Sequence, residues 1–179
     1  SIRPFPDGTG RIGRILNVLY LTRTGLLDIP VLYLSRHITR TKDEYYRLLQ
    51  GVRDAATSEN MAHAWEEWVL YMLQGVANTA TTTLQLVEGI REQMADMKKR
   101  MRTDLPRLYS QDLLNNLFRH PYTRIEYVVK DLGVTRQTAS KHLDALAERG
   151  FVLKRQSGRN NYYINEPLVQ LFLDVSGGP

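Results

Sequence analysis

From Asn60 to about Arg102 no proline interrupts a run of apolar residues spaced three and four apart, and this commits the middle of the chain to one long helix. Its first part carries a broad apolar stripe, Trp65, Trp68, Val69, Met72, Leu73 and Val76, expected to pack against the helices before it. Beyond the stripe the pattern narrows to Val87, Ile90, Met94, Met97 and Met101, a two-position heptad seam flanked by Glu, Lys and Arg. A thin seam asks for a partner helix. That partner is either a second copy, giving a homodimer through the long helix, or the chain's own domain. The Thr79 to Thr83 stretch is poor in apolar residues and the seam is short.

The stretches on either side give a mainly α fold in two parts, residues 1–104 and 105–176. In the first, a helix starts near Arg11 and runs to Thr24, with Ile12, Ile15, Leu16 and Leu19 on one face and Gly25 as its stop. Pro30 is expected to open a second helix. Thr41 or Asp43 is expected to cap a third, with Tyr46, Leu49 and Val52 facing one way. Asp104-Leu105-Pro106 ends the long helix.

The second part reads as three short helices and a hairpin. Ser110 caps Leu113, Leu114, Leu117 and Phe118, and His120-Pro121 breaks that helix. Arg124 to Leu132 makes the next, with Ile125, Val128 and Val129 inward, and Gly133 closes it. Thr135 caps a third helix through Arg149, with Ala139, Leu143 and Leu146 inward and Arg136, Gln137, Ser140, Lys141 and Asp144 outward. Phe151 to Arg155 and Asn161 to Ile164 then form two strands joined by the basic link Gln156 to Asn160. Gly177-Gly178-Pro179 reads as a frayed tail. The helix, short turn and helix followed by a hairpin resemble a winged helix-turn-helix, and Thr135 to Leu143 resembles the recognition segment of bacterial regulators of that class. That resemblance implies DNA contact through Arg136, Gln137, Ser140 and Lys141, with Arg159 reaching the neighbouring backbone. Asp144 and Glu148 weaken the positive field on the same helix, and winged helices also serve as docking or dimerising modules.

At the other end, Asp7, Gly8, Gly10, Arg11 and Arg14 gather a carboxylate, two glycines and two arginines at a helix start. Gly8 and Gly10 can take the positive φ that turns backbone N–H groups inward, and the helix adds its partial positive charge. The outline is an anion site, with Asp7 able to hold a divalent cation; a glycine turn with a helix cap is the plainer reading. The segment Arg3-Pro4-Phe5-Pro6-Asp7-Gly8-Thr9-Gly10-Arg11-Ile12-Gly13-Arg14 resembles the Fic signature His-Pro-Phe-x-Asp/Glu-Gly-Asn-Gly-Arg-x-x-Arg. The likeness continues through Pro30 to Ser35 and Asp43 to Tyr46.

The Fic resemblance implies an adenylyltransferase that moves AMP from ATP to a hydroxyl on a target protein. It implies that Asp7 coordinates magnesium, that Gly8, Thr9, Gly10 and Gly13 belong to the phosphate loop, and that Arg11 and Arg14 grip the phosphates. It also implies that Tyr45 and Tyr46 line the adenine pocket, although core packing is the plainer role for such aromatics. Two positions depart from the signature. The family's histidine is the general base, whereas Arg3 stays protonated at any working pH and cannot take a proton. The family's asparagine is Thr9, which keeps a hydroxyl and loses one amide contact. AMP transfer is therefore expected to be lost or severely reduced while some nucleotide binding survives. The chain opens at the motif without the helices that Fic proteins place before it, as a truncated piece or processed fragment would.

Composition bears on surroundings more than on activity. There are no cysteines among 179 residues, which removes disulfides and thiolate metal sites. No apolar run approaches the roughly twenty residues needed to span a bilayer, so a cytoplasmic protein is expected. The net charge of +5 and pI near 9.5 favour polyanionic partners. His37, His63, His120 and His142 do not share a helix face with carboxylates at zinc-site spacing, and no transition-metal centre is expected. His142 reads as a surface or phosphate-facing residue. Two functions from different classes follow: a Fic-type AMP transferase, and a DNA-binding regulator whose nucleotide site is vestigial.

Overall fold

In a computed structural model the described residues are 8–28, 30, 32–57 and 59–177. The chain divides into two compact units between Leu84 and Gln85, inside the long helix rather than after it. The fold is mainly helical with a small three-stranded antiparallel sheet near the C-terminus. Among the described residues no helix is long and apolar enough to cross a membrane.

The N-terminal unit holds α1 (Thr9–Arg23), α2 (Leu34–Arg40), α3 (Lys42–Asp54) and the first half of α4 (Met61–Asp104). At its C-terminus α1 closes with two reversed hydrogen bonds, Leu26 N to Leu21 O at 2.9 Å and Gly25 N to Thr22 O at 3.2 Å. These satisfy carbonyls that the helix leaves open, in the paired arrangement of a Schellman end. The expected face Ile15, Leu16 and Leu19 is more than half exposed, and α1 instead turns Ile12, Val18 and Leu21 partly inward.

Pro30 does not open α2, which begins at Leu34. Leu32 and Leu34 are both buried while Tyr33 between them is exposed, because Tyr33 (φ −82°, ψ 54°) sits in a tight γ-turn in which Leu34 N donates to Leu32 O at 2.9 Å, not in helix. Thr41 stands at the N-cap position of α3 without capping it. Its hydroxyl donates to His37 O at 2.8 Å and shares a 2.7 Å hydrogen bond with the Tyr71 hydroxyl on α4. The inward face of α3 is Tyr45, Leu48, Leu49 and Val52, so Leu49 and Val52 lie as expected and Tyr46 does not. Tyr45 packs its ring 5.2 Å from that of Trp68 and 6.3 Å from that of Tyr71. Of the α4 stripe, Trp68, Met72 and Val76 are partly covered, whereas Trp65, Val69 and Leu73 remain about half exposed.

The C-terminal unit contains the rest of α4, α5 (Gln111–Arg119), β1 (Tyr122–Thr123), α6 (Ile125–Leu132), α7 (Arg136–Glu148), β2 (Leu153–Ser157), β3 (Asn160–Ile164) and α8 (Glu166–Gly177). Ser110 Oγ accepts from Leu113 N and Thr135 Oγ1 from Thr138 N, so both expected caps form. The core joins Met97 and Met101 of α4 to Leu113, Leu114, Leu117, Val128, Leu143, Leu146, Phe151 and Tyr163, with Met94 packed against it. The lower half of the heptad seam thus finds its partner within its own unit. Burying each of these side chains is worth about 1.5–3 kcal/mol, which ties this end of α4 to the second core.

The sheet order is β1-β3-β2, with Tyr122 opposite Ile164 and Leu153 opposite Ile164 from the other side. The strands of the hairpin extend further toward its tip than expected, and the link shrinks to Gly158-Arg159. Phe151 and Val152 precede the strand as buried core residues. Two elements escaped the sequence reading. The two-residue β1 has no periodicity to show. The α8 helix begins after Asn165, whose Oδ1 accepts from Leu168 N at 3.3 Å in the manner of an N-cap. Gly177 ends α8, and Gly178 and Pro179 lie outside the described residues.

Candidate functional site

The site at the start of α1 is built from a helix N-terminus and two guanidinium groups. Gly8 takes φ 75°, and the first i to i+4 bond, Ile12 N to Gly8 O at 3.0 Å, starts the helix at Thr9 rather than near Arg11. Gly10 therefore has helical backbone, not the positive φ expected of it, because it already lies in the first turn. The N–H groups of Thr9, Gly10 and Arg11 precede the first helical bond and lie at the positive end of the helix dipole.

Arg11 and Arg14 line one open cavity of about 490 Å³ together with Pro30, Leu32, Tyr33, Leu34 and Ser35. Arg14 is held in place, since its Nε donates to Ser35 Oγ at 3.1 Å. A Cβ built on Gly10 would lie 3.6 Å from Arg14 Nη1, which puts the guanidinium beside the first turn. Two cations one turn apart, beside open N–H groups, can hold a phosphate chain.

Tyr45 and Tyr46 do not line this cavity. Tyr45 belongs to the aromatic packing of α3 on α4, and Tyr46 is 57% exposed with its ring edge-on to Tyr45 at 5.3 Å. The aromatic side chain that does line it is Tyr33, 65% exposed, which the sequence reading passed over. Its signal was position: it stands two residues before Ser35 in the Pro30 to Ser35 segment that carries the family likeness. Arg3 and Asp7 lie outside the described residues, as does the side chain of Thr9. Gly13 sits in α1 with open space where a Cβ would be. Among the described residues no cluster of three His, Cys, Asp or Glu side chains could hold a metal.

A second candidate surface lies on α7 and the hairpin. Gln137 and Lys141 are exposed and Ser140 partly so. Arg136 is engaged: its Nη1 meets Glu126 Oε1 of α6 at 3.0 Å. A backbone hydrogen bond and then Arg136 hold the Glu126 carboxyl below its ordinary range. Asp144 is not an outward charge, because its carboxylate takes Lys154 Nζ at 2.6 Å and the Tyr163 hydroxyl at 2.8 Å, with Ser140 Oγ at 3.3 Å. Partial burial pulls the Asp144 carboxyl upward, and the donors from Lys154 and Tyr163 outweigh it, so its pKa falls below the ordinary aspartate value. The contact fixes β2 and β3 against α7. His142 is half-buried rather than on the surface, and its Nδ1 is buried without a hydrogen-bond partner. Arg159 stands exposed at the hairpin tip.

The C-terminal unit thus packs α5, α6 and α7 with the end of α4 and carries a small antiparallel sheet latched to α7. Residues 93–168 match the family model described as the C-terminal domain of SoFic-like protein adenylyltransferase. The match makes this stretch similar to the C-terminal domain of a Fic-type adenylyltransferase, on residues separate from those of the opening signature.

Proposed function

We propose that the chain is built for transfer of AMP from ATP to a hydroxyl on a target protein, and that transfer by this sequence is lost or severely reduced. The observation that carries the reading is the convergence of Arg11 and Arg14 on one cavity at the start of α1. In this reading the guanidinium groups and the N–H groups of the first turn bind the phosphates, and Ser35 keeps Arg14 aimed by accepting from its Nε. Asp7 holds magnesium, which neutralises phosphate charge when bound. Arg3 occupies the position of the base and stays charged, so the incoming hydroxyl keeps its proton and attack is slow. Tyr33 offers a ring for the nucleobase at the cavity, in place of Tyr45 and Tyr46.

Labelled AMP incorporation tests this directly in the present chain and in Arg3→His. Transfer that appears only with histidine supports the reading, and robust transfer with Arg3 overturns it. Calorimetry with ATP and magnesium separates binding from chemistry.

A second reading has its own support. The C-terminal unit has the element order of a winged helix-turn-helix, with Gln137 and Lys141 exposed on α7 and Arg159 at the tip of a hairpin that Asp144 holds against that helix. Such a unit suits duplex DNA, with α7 in the major groove and the hairpin on the adjoining backbone. A mobility shift over a salt series tests it: a log–log slope near zero rules out phosphate contacts.

A further inference from the structure

The sheet of the C-terminal unit has two unlike faces. Thr123 and Tyr163 point inward and are buried, and Lys154, opposite Tyr163, turns to Asp144. The alternate residues point the other way. Tyr122 is 40% exposed, Tyr162 is partly exposed and Arg155, its cross-strand partner, is exposed. Continuing the β1–β3 register by one residue sets Arg124 on the other side of Tyr162, and the Arg124 guanidinium lies 5.8 Å from the Tyr162 ring centroid. It also lies 4.6 Å from the Tyr127 ring centroid, and its Nη2 donates to the Tyr127 hydroxyl at 3.0 Å. Tyr122 approaches Tyr162 edge-on at 5.4 Å and Tyr127 at 6.5 Å. The outward face is therefore a row of arginine, tyrosine and arginine, with two further rings beside it.

Arg155 and Arg159 have no ion-pair partner among the described residues. Glu126, the carboxylate whose field reaches Arg124, is tied to Arg136. Strands lie about 4.8 Å apart, so the backbones of Arg124 and Arg155, on the strands either side of Tyr162, are about 10 Å from one another. Rings between cations are the combination that holds unpaired nucleotides, since every base has a face that stacks and every phosphate a charge. A base in a duplex has both faces covered by its neighbours, and an acidic peptide would leave the rings unused.

We propose that this outward sheet face binds a single strand of nucleic acid, stacking bases on Tyr122 and Tyr162 and holding phosphates on Arg124, Arg155 and Arg159. The surface shares Arg159 with the duplex reading but uses none of the α7 residues of that reading and none of the residues lining the nucleotide cavity.

Fluorescence anisotropy of the full chain with a labelled oligothymidine of about ten nucleotides, within the range one such surface covers, tests it. Tyr122→Ala should weaken binding about five-fold or more, and Tyr122→Phe, which keeps the ring and the fold, should stay within about two-fold of the parent. Arg155→Glu should weaken it more than about ten-fold and flatten its salt dependence, while Lys141→Ala on α7 leaves it unchanged. Equal affinity in the parent and Tyr122→Ala overturns the proposal. So does competition by polyglutamate as strong as by unlabelled oligothymidine, or a loss with Lys141→Ala matching that with Arg155→Glu.

Discussion

The Asp144 carboxylate on α7 meets the Lys154 ammonium on β2 at 2.6 Å and, with the same oxygen, accepts from the buried Tyr163 on β3 at 2.8 Å. One side chain thus joins the third helix to both strands of the hairpin. The ion pair is about 40% exposed and contributes under about 1 kcal/mol by itself. The Tyr163 hydroxyl is the larger part, because truncating Asp144 leaves it buried without an acceptor, at about 1–3 kcal/mol. Asp144→Ala should lower stability by roughly that amount in a denaturant melt, and Asp144→Asn should recover part of it.

The same contact sets an acid limit. A carboxyl whose folded pKa is depressed stabilises the fold above its unfolded value, near about 4 for aspartate, and the contribution is lost as pH falls through the lower folded value. Asp131 acts with the same sign, its carboxyl lowered first by the Asn116 amide at 2.7 Å and then by Arg119. A thermal melt series should show the C-terminal unit losing stability only below about pH 4, and Asp144→Ala should flatten that slope.

In the N-terminal unit, Gly75 is fixed by close approach. A Cβ there would fall 2.6 Å from His37 Cδ2 and 3.2 Å from Leu34 Cδ1, too near for either ring or methyl to stay in place. Alanine in a helix normally gains up to about 1 kcal/mol over glycine. Here Gly75→Ala should instead destabilise by about 1–3 kcal/mol as an overpacked core, read from the melting of that unit. Gly51, helical with open space around it, should show the ordinary stabilising sign.

At the nucleotide cavity, Arg11→Ala and Arg14→Ala should each weaken ATP–magnesium binding by about ten-fold or more, as loss of a charge-assisted contact does. Ser35→Ala keeps both charges and removes only the 3.1 Å anchor on Arg14, so its effect should be smaller. Calorimetry at fixed salt checks the order.

For duplex DNA the ion pair between Arg136 and Glu126 is a restraint on α7. Glu126→Gln should free Arg136 and raise affinity about two- to five-fold, while Lys141→Ala should lower the salt slope by about one. A series of mobility shifts over ionic strength reads both.

The C-terminal unit was more legible in the sequence than the N-terminal one, for a physical reason. Ser110 and Thr135 are followed by amphipathic helices that bury their apolar faces within the same unit, so local pattern and tertiary packing agree. In the N-terminal unit Ile15, Leu16 and Leu19 make an apolar face that remains exposed, and Thr41 spends its hydroxyl on Tyr71 across the unit instead of on its own helix. Neither outcome is encoded locally. Of the site, Arg11 and Arg14 were legible because helical spacing alone sets them one turn apart. Tyr33 and Ser35 were not, because they reach the cavity only through the tight turn at Tyr33 that buries Leu32 and Leu34. For the Met97 and Met101 seam the sequence leaves a second copy and the chain's own domain equally open, because period reveals an apolar stripe but not which surface covers it.

The hairpin turn leaves the two residues at its tip unequal freedom to change. Gly158 holds φ 58°, a conformation that other residues adopt only with strain, whereas Arg159 has ordinary negative φ and an exposed side chain. Position 159 can therefore exchange one chemistry for another while the loop keeps its shape, and a lineage altering what this tip touches has one letter to rewrite and one it must leave alone.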